Sequence, residues 1–183
     1  MKKGQAKVLE SKEVFQGRKI RVCVDKIQNP KGAVGEREIV SHPGAVAMVP
    51  LLDDGQILLN RQYRHGAKKN LWEIPAGTLE EGETPLSCAK RELIEETGYQ
   101  AQKWKKLTCF YPTPGYSNEV IHIYLARELI KIEENPIAHK EESIDNYAFS
   151  LEECLAKIQK GAIEDGKTII GLLLAEKHLQ EQL

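Results

Sequence analysis

The sequence predicts an α+β fold: strand-like segments, one acidic helix, further strands, then two helices. Three observations carry this prediction. From about Lys7 to Ser41 the chain has strand character, with Ile20, Val22 and Val24 alternating with Arg21 and Cys23 in a partly two-residue period. In Gly77–Tyr99 the period changes, and Leu86, Ala89, Leu93 and Thr97 recur at helical spacing, able to face a core. Near the C-terminus, Ser150-Leu151-Glu152-Glu153 matches a capping box and opens a helix that stops at Gly161. Thr168 to about Glu181 forms a second, on which Ile169, Leu172, Leu173 and Leu179 mostly follow helical spacing.

Taken in order, the N-terminal strands are broken by the turn signal Asn29-Pro30-Lys31-Gly32, and Arg37–Val40 begins another strand. An antiparallel sheet of this size is marginal alone, so it is expected to pack on the rest of the chain or on a second subunit. His42-Pro43-Gly44 marks a boundary, dividing residues 1–42, an N-terminal β segment expected to dimerise, from a domain over 43–183. The apolar run Ala45–Leu52, the turn Asp53-Asp54-Gly55 and the returning Gln56–Tyr63 predict a hairpin. Gly66–Asn70 reads as a polar loop and Trp72–Pro75 as a short strand delivering Ala76-Gly77. Gln102–Phe110 and Glu119–Ala126 read as strands joined by the turn-rich Tyr111–Tyr116. Glu133–Ser143 is polar and contains Pro136, a loop, and Asn146–Phe149 is a last strand.

The central helix has clear ends: Thr84 suits the N-cap, Pro85 the first position and Gly98 the position just past the end. Opposite its apolar face stand Arg91, Glu92, Glu95 and Glu96. Glu92 and Glu96 are four apart, so their side chains meet on one turn and repel unless something positive sits against them. Oxygen-only ligands suit a hard cation, Mg²⁺ or Mn²⁺. The alternative is an exposed charged face on which Arg91 pairs with Glu95.

The wider spacing bears on that choice. Gly77, Glu83, Arg91, Glu92, Leu93, Glu95, Glu96, Gly98 and Tyr99 fit G-x5-E-x7-R-E-U-x-E-E-x-G-U, with U a bulky apolar residue. This resembles the Nudix box, with Tyr99 aromatic where an aliphatic residue is usual. The flanking REIVSHPGAVAMVPL, NRQYRHG, LWEIPAGTLEEGE and FYPTPGYSNEVIHIYLA resemble the ADP-ribose pyrophosphatase branch, and Pro114 fits the proline that marks it. The similarity runs from about Phe15 to the C-terminal helix. It implies the Nudix fold, a mixed β-sheet sandwiched between helices, here with an N-terminal antiparallel β appendage.

The resemblance implies metal-dependent hydrolysis of the diphosphate bond of ADP-ribose or a related ADP-sugar, giving AMP and ribose 5-phosphate. Glu92 and Glu96 would be direct ligands, with the Ala76 carbonyl oxygen completing the cluster and Glu95 binding further or through water. Arg91 would orient these carboxylates, Glu83 would brace the loop, and Gly77 would let the backbone turn sharply. Arg64, and Arg37 more weakly, would grip substrate phosphate. Glu119 would bind or orient substrate, Thr113, Pro114 and Gly115 would wall the terminal ribose, and Leu79 would pack against a ribose or join the core. The general base is implied on the acidic loop, at Glu141 or Glu142. The branch dimerises through its N-terminal segment, which implies a homodimer with Arg37 available in trans. The alternatives are hydrolysis of another nucleoside diphosphate derivative and a non-catalytic nucleotide-sugar sensor. The intact Glu92, Glu95 and Glu96 argue against the sensor.

Composition limits the other classes. The chain has 183 residues, 41% hydrophobic and 29% charged, with a net charge of −1. Nothing in that balance points to nucleic acid or a membrane surface as partner. Cys23, Cys88, Cys109 and Cys154 are scattered and read as reduced thiols, mostly small core residues, rather than a zinc site. Two lysines open the chain without an apolar stretch behind them, and Pro50 and Gly171 interrupt the longest apolar runs. A cytoplasmic location is expected. No serine or cysteine sits in an elbow motif, and His42 and His122 read as structural.

Overall fold

A computed structural model describes residues 5–132 and 145–181 of the chain. The chain divides into two compact units, Met1–Gly44 with Tyr111–Val120, and Ala45–Phe110 with Ile121–Leu183. The first unit therefore takes in a segment that chain order alone puts inside residues 43–183.

In the first unit, β1 (Lys7–Gln16), β2 (Arg21–Gln28) and β3 (Val34–Ser41) form an antiparallel sheet in that order. The β2–β3 turn is held by Asn29, whose Oδ1 accepts the Lys31 and Ala33 N–H groups at 2.9 and 3.0 Å, as asparagine does in turns. Tyr111–Val120 fastens to the end of β3: the Val40 N–H donates to the Tyr116 carbonyl at 2.7 Å, and the His42 N–H to Asn118 Oδ1 at 2.8 Å. Every residue of β1 is exposed, Phe15 at 55%.

The second unit holds β4 (Ala45–Pro50), β5 (Gln56–Arg64), β6 (Lys69–Glu73), β7 (Ala76–Thr78), α1 (Pro85–Thr97), β8 (Tyr99–Phe110), β9 (Ile121–Lys131), β10 (Asp145–Ser150), α2 (Leu151–Gln159) and α3 (Gly166–Gln180). One sheet has the order β7-β4-β9-β8, with β4 parallel to β9 and the other pairs antiparallel; the second has the order β10-β5-β6. The expected β4–β5 hairpin is not a ladder. The turn closes with the Leu52 N–H on the Gln56 carbonyl, but one bridge, Leu51 to Ile57, is the pairing that follows. Both edges of β4 are already taken by β7 and β9, so β5 pairs elsewhere.

Alternation along β4 builds the core on both sheet faces. Val46 and Met48 join Cys88, Ala89 and Leu93 of α1 with Tyr124 and Ala126. Ala47 and Val49 join Ile57, Leu59, Ile74, Ile123 and, from α3, Leu172 and Ala175. Each fully buried Val, Leu, Ile or Met among them contributes about 1.5–3 kcal/mol. A mixed sheet with helices on both faces is the architecture the resemblance implied. The Ser150 capping box on α2 also forms, Ser150 Oγ accepting from the Glu153 N–H at 3.1 Å and Glu153 Oε2 from the Ser150 N–H at 2.8 Å.

Three local expectations are corrected. Leu86 is 37% exposed, because Cys88, Ala89 and Leu93 occupy the buried stripe of α1 and leave its first turn outside. Leu173 is exposed, since α3 buries Thr168, Gly171, Leu172 and Ala175 instead. Cys88 and Cys154 are buried, but Cys23 is half-buried and Cys109 exposed on β8. Among the described residues, no helix is long and apolar enough to cross a membrane.

Candidate metal centre

The site grows from the ends of α1. Thr84 Oγ1 accepts from the Ser87 N–H at 3.2 Å, Pro85 stands at the first position, and Gly98, at φ 73°, ends the helix with its N–H on the Ile94 carbonyl at 2.9 Å. These caps fix where the helix begins and ends, and packing of Cys88, Ala89 and Leu93 sets its rotation. The apolar stripe then faces β4 and the acidic face meets β7, where Glu92 is 6% and Glu95 9% exposed. A merely solvated charged face is therefore not what forms.

Arg91 organises this face. Its Nη1 donates to Glu92 Oε1 at 2.8 Å and Glu95 Oε2 at 3.0 Å, while Nε and Nη2 grip Glu83 Oε1 and Oε2 at 3.0 and 2.9 Å. Glu83 also accepts from the Glu80 N–H at 3.1 Å, which braces the loop entering α1. The hydrogen bond from Arg91 holds the Glu83 carboxyl down at about 2. The same contact raises the Arg91 guanidinium above its ordinary value. Burial, then the nearby Glu83, pushes the Cys88 thiol up to about 12, so it is a packing group and not a nucleophile.

Gly77 of β7 lies directly beneath Glu92. A Cβ there would stand 1.8 Å from Glu92 Cδ, so the carboxyl group occupies the space that any other residue would fill. Glu96 is seated differently. Its Oε2 accepts two N–H donors, Asn60 Nδ2 of β5 at 2.8 Å and the Ala76 backbone at 3.0 Å. Asn146 of β10 donates from Nδ2 to the Glu96 carbonyl at 2.8 Å.

A second buried charge stands across the sheet. Glu73, opposite Asn60 in the β5–β6 register, takes Arg64 in a two-bond fork at 2.7 and 2.7 Å and Lys167 of α3 at 2.5 Å. Burial alone would raise Glu73; the Arg64 hydrogen bonds and the Lys167 charge outweigh it and lower the carboxyl. Thr168 Oγ1 accepts from the Ile74 N–H at 2.9 Å, which ties the start of α3 to the chain leading into β7.

The remaining sequence-predicted residues fall as follows. Leu79 is half-buried and packs on the α1 core. In the first unit, Arg37 is exposed on β3 with Nη1 on the Glu36 carbonyl at 2.7 Å. There too, Thr113, Pro114 and Gly115 form a turn in which the Thr113 carbonyl accepts from the Ser117 N–H at 3.0 Å. Glu119 Oε1 lies 3.7 Å from His42 Nδ1. Glu141 and Glu142 lie outside the described residues. Sequence reasoning missed Asn60, Asn146, Glu73 and Lys167. Two left a trace: Asn60 ends the apolar run Ile57-Leu58-Leu59, and Glu73 sits between Trp72 and Ile74.

By donor chemistry, carboxylates on a glycine-cleared backbone fit a hard divalent cation. In side-chain arrangement, no three His, Cys, Asp or Glu groups among the described residues stand ready as a cage. The physical reason is visible: Glu92 and Glu95 converge on Arg91 Nη1.

Comparison with known proteins shows the family and the fold. A family model described as "NUDIX domain" matches residues 41–170. The chain is 38% identical over 184 residues to the ADP-ribose pyrophosphatase of Bacillus subtilis (strain 168), covering 100% of each chain. It is 38% identical to the methanol dehydrogenase activator of Bacillus methanolicus, over 98% of this chain and 96% of that one. A crystal structure of an ADP compounds hydrolase superposes with a TM-score of 0.85 at 21% identity, over 97% of this chain and 96% of that one, and shares the fold.

Proposed function

The chain belongs to the NUDIX domain family, and from that premise we propose that it hydrolyses the diphosphate bond of ADP-ribose to AMP and ribose 5-phosphate with a divalent cation, Mg²⁺ or Mn²⁺. The observation that carries the reading is the set of buried Glu92 and Glu95 and half-buried Glu96, held on α1 by Arg91 and Asn60. The end-to-end likeness to a protein named ADP-ribose pyrophosphatase supports the choice of substrate. When bound, the cation would neutralise diphosphate charge and lower the pKa of a bound water.

The residues then have distinct tasks. Glu92, Glu95, Glu96 and the Ala76 carbonyl would hold the cation. Arg91 aims the Glu92 and Glu95 carboxylates. Glu141 or Glu142 accepts the proton as the water oxygen bonds to phosphorus and the bridging P–O bond breaks, leaving one phosphate on each product. Arg37, Arg64, Leu79, Thr113, Pro114, Gly115 and Glu119 are the proposed substrate-binding residues. Arg64 would do this while its fork anchors on Glu73. The protein works as a cytoplasmic homodimer joined through its N-terminal strands, whose exposed Val8, Val14 and Phe15 suit burial against a second copy.

A panel of ADP-ribose, GDP-mannose, a reduced dinucleotide and an oxidised nucleotide, each with Mg²⁺, tests the reading. Fastest turnover of ADP-ribose, with equal AMP and ribose 5-phosphate, is expected. Faster turnover of another member would change the substrate, and no turnover of any would indicate a sensor. Glutamine at Glu141 or Glu142 should lower the maximal rate by roughly 10²–10⁴ for the residue that is the base; an active double variant would place the base elsewhere.

A further inference from the structure

The face of the β10-β5-β6 sheet that carries Asn60 holds a polar row in register: Asn146 opposite Asn60, and Asn60 opposite Glu73. Both asparagines bond to one residue, Glu96, from two sides: Asn60 to its carboxylate at 2.8 Å and Asn146 to its backbone carbonyl at 2.8 Å. Glu96 lies one residue from the end of α1, where helix carbonyls lack partners within the helix, so Asn146 also caps that end.

Asn60 is 3% exposed, and its Oδ1 is buried with no hydrogen-bond partner among the described residues. Its orientation is fixed chemically: a carboxylate only accepts, so the amide nitrogen must face Glu96 and the oxygen must face away. A residue there merely to fill space would not carry an unsatisfied buried acceptor, which an aliphatic side chain avoids. The amide is explained by its donor. With the Ala76 N–H on the same oxygen, the Glu96 carboxylate is held by two N–H groups from two different strands.

We propose that Asn60, assisted by Asn146, is a positioning residue of the metal centre: it sets the plane of the Glu96 carboxylate so that the cation meets a preformed ligand. This rests on Glu96 being a ligand, the reading given above. Outer partners of metal ligands commonly govern affinity and rate in this way.

Binding of Mn²⁺ alone to the full chain, followed by electron paramagnetic resonance, tests it without turnover. Asn60→Leu removes the donor and the unsatisfied oxygen together, and Asn60→Ser is a smaller polar change for use if the first does not fold. Both should weaken Mn²⁺ binding about 10- to 100-fold and lower kcat to match. KM for ADP-ribose should stay within about twofold, as for loss of an interaction outside the substrate site. Asn146→Ala, at an exposed position, should act in the same direction and more weakly. Wild-type Mn²⁺ affinity in a folded Asn60 variant, beside weakened binding in Glu96→Gln, would overturn the positioning role alone. Unchanged binding in Glu96→Gln itself would overturn both that role and the assignment of Glu96 as a ligand.

Discussion

The two units distribute apolar surface and charge in opposite ways. In the first, β1 is exposed along its whole length and displays Val8, Val14 and Phe15. In the second, β4 buries five of its six residues and the adjoining helix buries Glu92 and Glu95. Apolar groups outside and carboxylates inside both invert the usual partition. Each inversion suits a binding partner: a second copy for the strands, a cation for the glutamates. The difference lies in support. Core packing on both faces of β4 holds the carboxylates in place, whereas three strands without such packing are marginal.

The sharpest way to break this contrast is to fill the space under Glu92. Gly77→Ala puts a Cβ where the Glu92 carboxyl group lies. Displacing that group by about 1 Å should lower kcat by on the order of 10²-fold while circular dichroism stays native; full activity would show that the cradle does not matter. Removing residues 1–42 addresses the other half. Sedimentation should change from dimer to monomer, and KM should rise by about tenfold, as for loss of one charge-assisted contact. A full-length monomer with full activity would separate the exposed strands from assembly.

The smallest effect is on pH dependence. Arg91 depresses the Glu83 carboxyl from 4.5 to about 2. A group lowered on folding contributes stability above its unfolded value and loses it as pH falls through its folded value. Urea unfolding of the wild type should therefore weaken between about pH 4.5 and about pH 2, and Glu83→Gln should flatten that part of the curve. Parallel curves for the two proteins would show that the Glu83–Arg91 pair adds nothing.

The local parts of this account were legible in the sequence because they rest on short-range rules. Thr84, Pro85 and Gly98 bound α1 as their cap chemistry requires, and Ser150 with Glu153 forms its box. Spacing also brought Arg91, Glu92 and Glu95 to one face. What spacing could not show is which sheet edge a strand meets. The Asp53-Asp54-Gly55 turn signalled a hairpin, yet β4 has both edges occupied, and β5 joins β10 and β6. The Asn60–Glu96 and Glu73–Lys167 contacts depend on that choice, since they join residues 36 and 94 positions apart. Leu86 and Leu173 fit helical periods but fall where no neighbouring element covers them.

On this reading hydrolysis depends on a cation held by Glu92, Glu95 and Glu96 of α1. Turnover of ADP-ribose by Glu96→Gln at saturating Mg²⁺ tests it most directly, because the change keeps the shape of the side chain and removes its charge. A folded variant slower by at least about a hundredfold is the predicted result. A near-normal rate would contradict the assignment of Glu96 as a metal ligand and, with it, this account of the site.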